Sequence, residues 1–298
     1  MPSTAVTPTR SSRKPRCPTR FAVLMVAATG LAGCAGTGSA LPSGAVGSDP
    51  AAAPSAQPAV VLPSGPLVGA ARGDGLLFTA RPDAAGTVVS GLDRNSRAVV
   101  GQVRLDGAFR FPVVAPKAPV EGVSHDGRVV VLAGSDAGRS QFAVLDGALA
   151  RPVRVVTLPA GFSYDALSPD GSVLYLVEHL PPSGSEHYQV RAYDLATGRL
   201  AAGAIADKSA VPEQMAGHPL ARATSPDGDW VATLYERTDG EAFIHLLAAR
   251  NQFALCLDLP PGSVSGWGLR YQGDRLTVHD ARGLTRLTER DNALVPAR

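Results

Sequence analysis

A tight glycine turn followed at once by an apolar strand recurs five times in this chain, and the recurrence predicts an all-β fold, a β-propeller of about five four-stranded blades. Three observations carry that expectation. The turn glycines Gly75, Gly127, Gly171, Gly228 and Gly273 are separated by 52, 44, 57 and 45 residues, about the length of one blade. Uninterrupted apolar runs follow the turns, such as Val129 to Ala133 and Val173 to Val177, and read as strands covered on both faces. Apolar stripes at helical spacing are missing from the chain after the leader, which leaves an α/β alternative little support.

Taken in order, the chain opens on a basic segment, Arg10, Arg13, Lys14, Arg16 and Arg20, with no acidic residue, and then the apolar run Phe21 to Gly33. A bilayer-spanning helix needs roughly 20 apolar residues, so this shorter run is expected to be the core of a cleaved signal peptide, residues 1–33. It ends in Leu31-Ala32-Gly33-Cys34, a branched residue and two small ones before a cysteine. That pattern resembles the lipobox of bacterial lipoproteins. The resemblance implies that Cys34 is acylated and becomes the first residue of the mature chain, palmitate included, and that the protein is extracytoplasmic and anchored to the cell membrane through that lipid. Residues 34–58 are Gly, Ala, Ser and Pro with one charge, Asp49, and cannot bury enough apolar surface to order themselves. They are expected to be a flexible tether, with the propeller over residues 59–298.

Removing the leader changes the charge. The whole chain has 28 basic and 26 acidic residues, five of the basic ones before Gly33, which leaves 23 against 26 and a net charge of −3. A mildly acidic protein has no electrostatic footprint for nucleic acid. Of the three cysteines, Cys17 leaves with the leader, Cys34 carries the lipid and Cys256 stands alone in an apolar run, so no intramolecular disulfide is expected and Cys256 reads as a small buried hydrophobe.

Within each repeat, proline pre-sets the first turn position, aspartate accepts from the backbone two residues on, and glycine supplies positive φ. Copies are Ser124-His125-Asp126-Gly127, Ser168-Pro169-Asp170-Gly171 and Ser225-Pro226-Asp227-Gly228, with Gly73-Asp74-Gly75 and Gln272-Gly273-Asp274 as outer variants. Second strands follow at Phe142 to Asp146, Tyr188 to Asp194, Phe243 to Leu247 and Leu284 to Thr288, and a third at Arg199 to Ala206. Short strands precede the turns, as at Phe162 to Leu167 and Val264 to Arg270. Little chain remains after Thr288 for the last outer strand, and Val60-Val61-Leu62 is expected to fill that place and close the ring.

The third copy, Pro169-Asp170-Gly171-Ser172-Val173-Leu174-Tyr175-Leu176-Val177, continuing through Val190-Arg191-Ala192-Tyr193-Asp194-Leu195-Ala196-Thr197-Gly198, resembles the YVTN-type and WD-like propellers of bacterial envelopes. Those families share the order of Pro-Asp-Gly turn, apolar strand, strand ending in Asp, then Thr-Gly. Leu176-Val177-Glu178 stands where Val-Thr-Asn would, and no Gly-His with Trp-Asp pair is present. Residues 222–260 resemble uncharacterised actinobacterial lipoproteins. These resemblances imply a fold and leave the function open, because propellers host many activities.

Chemistry is sparse. There is no Gly-x-Ser-x-Gly elbow, no His-Glu-x-x-His and no phosphate loop, so no catalytic residue is assigned and no cofactor is expected. The turn aspartates recur once per blade, which marks them as turn residues. Glu178-His179 and Glu186-His187 flank a Pro/Ser/Gly hairpin tip and are the most metal-like groups, although their spacing matches no standard ligand pattern. Glu213 and His218, in the insertion before Leu220, mark a candidate ligand loop. The reading is therefore a binding module that engages an envelope protein or an extracellular ligand. The alternatives are a propeller enzyme of the lactonase or quinoprotein kind, with metal ligands converging on the channel, and a structural spacer of the envelope.

Overall fold

The computed structural model describes residues 70–72, 75–150, 154–182, 186–205, 215–290 and 293–296. The leader, Leu31, Ala32, Gly33, Cys34 and the tether lie outside them, as does Glu213. The described residues form strands and turns without a helix, in five antiparallel sheets that follow one another along the chain. Blade 1 is β1 (Ala70–Arg72), β2 (Leu76–Asp83), β3 (Gly86–Asp93) and β4 (Val99–Asp106). Blade 2 is β5 (Phe109–Arg110), β6 (Val129–Asp136), β7 (Arg139–Asp146) and β8 (Arg154–Leu158). Blade 3 is β9 (Phe162–Leu167), β10 (Val173–His179), β11 (His187–Asp194) and β12 (Arg199–Ile205), with the two-residue β13 (Met215–Ala216) also paired to β11. Blade 4 is β14 (His218–Thr224), β15 (Trp230–Glu236), β16 (Ala242–Ala248) and β17 (Phe253–Asp258). Blade 5 is β18 (Gly268–Gln272), β19 (Arg275–His279), β20 (Thr285–Arg290) and β21 (Ala293–Pro296). The protein is a β-propeller, as the repeats predict.

The Asp-Gly turns join the first strand of a blade to its second. At Ser168 the hydroxyl donates to Asp170 Oδ1 at 2.7 Å, the same carboxylate oxygen accepts from the Ser172 amide at 3.1 Å, and the Val173 amide returns to Ser168 Oγ at 2.9 Å. The set repeats at Ser124 with Asp126, and at Ser225 with Asp227. Serine is thus as much a part of these turns as aspartate and glycine, and Asp126, Asp170 and Asp227 are structural, as expected, while Asp74 lies outside the described residues.

The core lies between sheets. Four apolar clusters join blades 1 and 2, 2 and 3, 3 and 4, and 4 and 5, with Phe78 and Phe109, Tyr164 and Val131, Tyr175 and Phe243, and Leu234 and Leu276 among their members. Central strands covered on both faces are buried almost end to end, as in β16, and this explains the unbroken apolar runs in the sequence.

Two expectations change. The outer strand of blade 5 is β21, paired antiparallel to β20 from Leu287 with Pro296 to Arg290 with Ala293, because four residues are enough to cover the outer edge of that short strand. The expected use of Val60 to Leu62 there is superseded, and those residues lie outside the described ones. The short strand expected over Val264 to Arg270 begins only at Gly268, since Val264 to Trp267 form a turn closed by the Trp267 amide on the Val264 carbonyl at 2.9 Å.

Candidate functional site

The first strand of blade 2 is interrupted. Phe109 and Arg110 pair with Gly134 and Ala133, and the ladder resumes only at Val123 opposite Val130. Residues 111–122 leave the sheet between these points. Pro112, Pro116 and Pro119 cannot donate to a strand ladder, which is why the excursion cannot stay in register. Phe111 and Ala115 anchor it in apolar surroundings, and the Glu121 amide closes it on the Pro112 carbonyl at 3.0 Å. Its tip reaches blade 4, where Lys117 pairs in parallel with Ala221 and the Lys117 ammonium donates to the Gly266 carbonyl. A link between the first strands of blades 2 and 4 must cross the space those strands enclose, so this segment spans the channel.

One guanidinium fastens it. Arg222 on β14 donates from Nε to Glu121 Oε1 at 2.7 Å, and from Nη1 to Asp165 Oδ1 at 3.0 Å and Thr233 Oγ1 at 2.7 Å, while Nη2 donates to the Asp165 carbonyl. The Arg222 side chain is fully buried, and those of Glu121 and Asp165 are 13% and 3% exposed. Asp165 gets there through a β-bulge: Tyr175 faces Ala166 and Leu176 faces Tyr164, leaving Asp165 unopposed on β9 and turned toward Arg222. A matching irregularity on β14 leaves Leu220 unopposed, and its carbonyl accepts from the Lys117 amide at 3.4 Å. Burial pushes the Glu121 carboxyl above its usual range, against the pull of Arg222. Burial alone would lower the Arg222 pKa, but Glu121 and Asp165 outweigh it and hold the guanidinium charged. Asp165 Oδ2 is buried with no hydrogen-bond partner.

Two cavities flank the excursion. The smaller, about 250 Å³, sits at the Asp-Gly turn end, between residues 119–125 and the turns at Pro169 and Gly228, with Glu121 and Tyr164 in its wall. The larger, about 560 Å³, lies at the opposite end, where first strands begin and second strands finish, and Tyr164 lines it too. Six aromatic rings from three blades wall it: Phe111, Phe142, Phe162, Tyr164, Tyr188 and Tyr235. Tyr188 and Tyr235 stack at 5.0 Å between centroids, and Tyr235 stacks on Phe243 at 5.4 Å, so that side is rigid. Arg110, His179, Glu186 and His218 line the same cavity.

Three of the residues singled out in the sequence, His179, Glu186 and His218, therefore meet at one cavity. His179 Nε2 lies 3.0 Å from Ser163 Oγ, and partial burial holds its pKa below the usual imidazole value. Glu186 Oε2 accepts from the Thr238 hydroxyl at 2.8 Å and amide at 2.9 Å, which lower its pKa. The others go elsewhere. Glu178 binds Arg191 and accepts from Gln189 Nε2 at 2.6 Å across β10 and β11, and His187 is exposed opposite Ala216. Among the described residues no three His, Cys, Asp or Glu side chains are placed to hold a metal ion. Cys256 is half-buried on β17, not fully buried as expected, because it packs at the margin of the cluster between blades 3 and 4. His279 is a structural histidine, with its ring nitrogens 2.9 Å from Thr277 Oγ1 and 3.2 Å from Thr285 Oγ1.

No protein-family model and no curated protein matches the chain. Solved structures do. The chain is similar to TolB from Acinetobacter baumannii, at 16% identity over 78% of this chain and 55% of that one, with a TM-score of 0.42. It is similar to the Dos1 propeller at 10% identity, over 73% of this chain and 56% of that one, with a TM-score of 0.42. It also matches the complex of KlAtg21 with the coiled coil of AgAtg16, at 12% identity, over 79% of this chain and 70% of that one, with a TM-score of 0.49. The chain spans little more than half the length of the first two.

Sequence reasoning missed Arg222, Glu121 and Asp165. The available signal was a charge inside an otherwise apolar first strand, in Leu220-Ala221-Arg222-Ala223 and Tyr164-Asp165-Ala166-Leu167, together with three prolines ahead of the second turn.

Proposed function

We propose that the protein is a lipid-anchored, extracytoplasmic β-propeller that acts as a ligand-binding module of the cell envelope and takes its ligand into the 560 Å³ cavity between blades 2, 3 and 4. That cavity carries the reading. Its volume falls in the range that encloses a small molecule, it is walled by aromatic rings, and a few polar groups converge on it. The excursion and the Arg222 network support a binding role over the enzyme alternative. They fill the channel at the place where a lactonase or quinoprotein would gather its metal ligands, and the Arg222 guanidinium occupies Glu121 Oε1 and Asp165 Oδ1 there, leaving Asp165 Oδ2 as the one unbonded carboxylate oxygen of the pair that is fully buried. The lipid on Cys34 and the tether over residues 34–58 hold the propeller at the membrane and let the cavity turn toward solutes or partner proteins.

Native mass spectrometry of the propeller, residues 56–298, purified from its host tests the site: a copurifying small molecule lost when the cavity is blocked supports it, and a propeller that binds only a partner protein away from the cavity overturns it. The anchor is tested separately by metabolic palmitate labelling. Cys34→Ser is expected to abolish both label and membrane association, and unchanged association would refute the lipid anchor.

A further inference from the structure

We infer that the ligand of the large cavity is an aromatic or similarly flat apolar molecule carrying one anionic group, with the apolar body between the rings and the anion at Arg110. This rests on the cavity being the binding site. The walls supply the first half. Phe111 from the excursion, Phe162 and Tyr164 from the first strand of blade 3, and Tyr188 and Tyr235 from the stacked pair present rings from three blades around one space. Such a lining favours a body that can stack or meet ring edges. The rings are fixed by buried neighbours, so little ordering cost falls on binding.

The charged groups supply the second half. Four ionisable side chains besides the tyrosines line the cavity: Arg110 on β5, His179 on β10, Glu186 beside β11 and His218 on β14. Glu186 is the one acid, and its Oε2 is committed to the hydroxyl and amide of Thr238. His179 has Ser163 as its neighbour. Arg110 is exposed, forms no ion pair with the described residues, and is a donor fork suited to a carboxylate, sulfonate or phosphate. His218, also exposed, adds a further donor or acceptor at the mouth. Val113, 57% exposed and in the same lining, continues the apolar wall outward to solvent.

The test uses two fluorescent probes that share an aromatic body, 8-anilinonaphthalene-1-sulfonate and the uncharged N-phenyl-1-naphthylamine, titrated into the propeller, residues 56–298, which holds all five sheets. Arg110→Gln and Val113→Trp alter exposed side chains, and unchanged near-ultraviolet circular dichroism confirms that the variants are folded. The sulfonate is expected to bind at one site per chain, roughly tenfold or more tighter than the neutral amine, which is the scale of one charge-assisted contact. Arg110→Gln should erase that difference, and Val113→Trp should block both probes. Equal binding of the two probes, or no effect of Arg110→Gln, overturns the anion assignment while leaving the cavity as a site. Failure of both probes to bind, or binding untouched by Val113→Trp, overturns the assignment and the cavity reading together.

Discussion

Arg222 and Glu121, 101 residues apart in the chain, meet at 2.7 Å in the centre of the propeller, and that contact pins the segment crossing the channel to the first strand of blade 4. Arg222 to Met would leave two carboxylates facing each other in a buried site. The expected loss is about 3–5 kcal/mol in urea unfolding at neutral pH, the cost of an uncompensated buried charge. Glu121→Gln keeps an acceptor for the Nε donor and is expected to cost far less. Equal losses in the two variants would show that packing, not charge, holds the segment.

The turn glycines separate conformation from space. Gly75 has φ of +69° and nothing within 4 Å of a hypothetical Cβ, whereas Gly171, at φ +68°, would place that carbon 2.5 Å from Val129 Cγ2. Gly75→Ala should therefore cost only the left-handed penalty, roughly 1 kcal/mol. Gly171→Ala adds about 1–3 kcal/mol of overpacking, read as a lower urea midpoint. Similar midpoints for the two would refute the close approach of the turns in blades 2 and 3.

Asp170 gives the acid limb of stability a defined source. The Ser168 hydroxyl, then the Ser172 amide, hold its carboxyl below the ordinary aspartate value of 3.8. A depressed folded pKa means that the unfolded chain takes up the proton first, so the contribution is complete above pH 3.8 and is lost as pH falls through the folded value. Asp170→Asn should lower stability by about 1 kcal/mol at pH 7, with the gap to the unaltered protein closing by pH 2–3. A gap that stays constant with pH would rule out the carboxylate as its source.

Two buried tyrosines should respond in opposite ways to loss of the hydroxyl. Tyr175 donates to the Ala249 carbonyl at 2.7 Å, bridging blades 3 and 4, and Tyr175→Phe is expected to cost about 1 kcal/mol. The Tyr188 hydroxyl is buried with no hydrogen bond of good geometry, its interaction with the hydroxyl of the stacked Tyr235 being poorly aligned, so Tyr188→Phe should be neutral or slightly stabilising. Calorimetry of the two variants decides it, and a clear loss for Tyr188→Phe would point to a bonded hydroxyl.

Much of the architecture was legible in the chain because the forces that make it are local. A Ser-x-Asp-Gly turn is closed by atoms within five residues, as between Ser225 and Trp230, and its recurrence counts blades directly. Apolar runs such as Leu174 to Val177 announce strands buried on both faces wherever they lie. His179, Glu186 and His218 could be noted as unusual polar loop residues, and they do line one cavity. What could not be read was that Glu178 would turn to Arg191, or that His187 would face solvent.

The sequence by itself determined the fold class, the number of sheets and the turns that join their strands, since each rests on neighbours a few residues apart. The tertiary structure alone decided that residues 111–122 cross the channel, that Arg222 draws Glu121 and Asp165 together over separations of 101 and 57 residues, and that rings from three blades enclose one cavity. Those features depend on where bulges aim side chains and how sheets face one another, and both are set by packing between blades that no local pattern encodes.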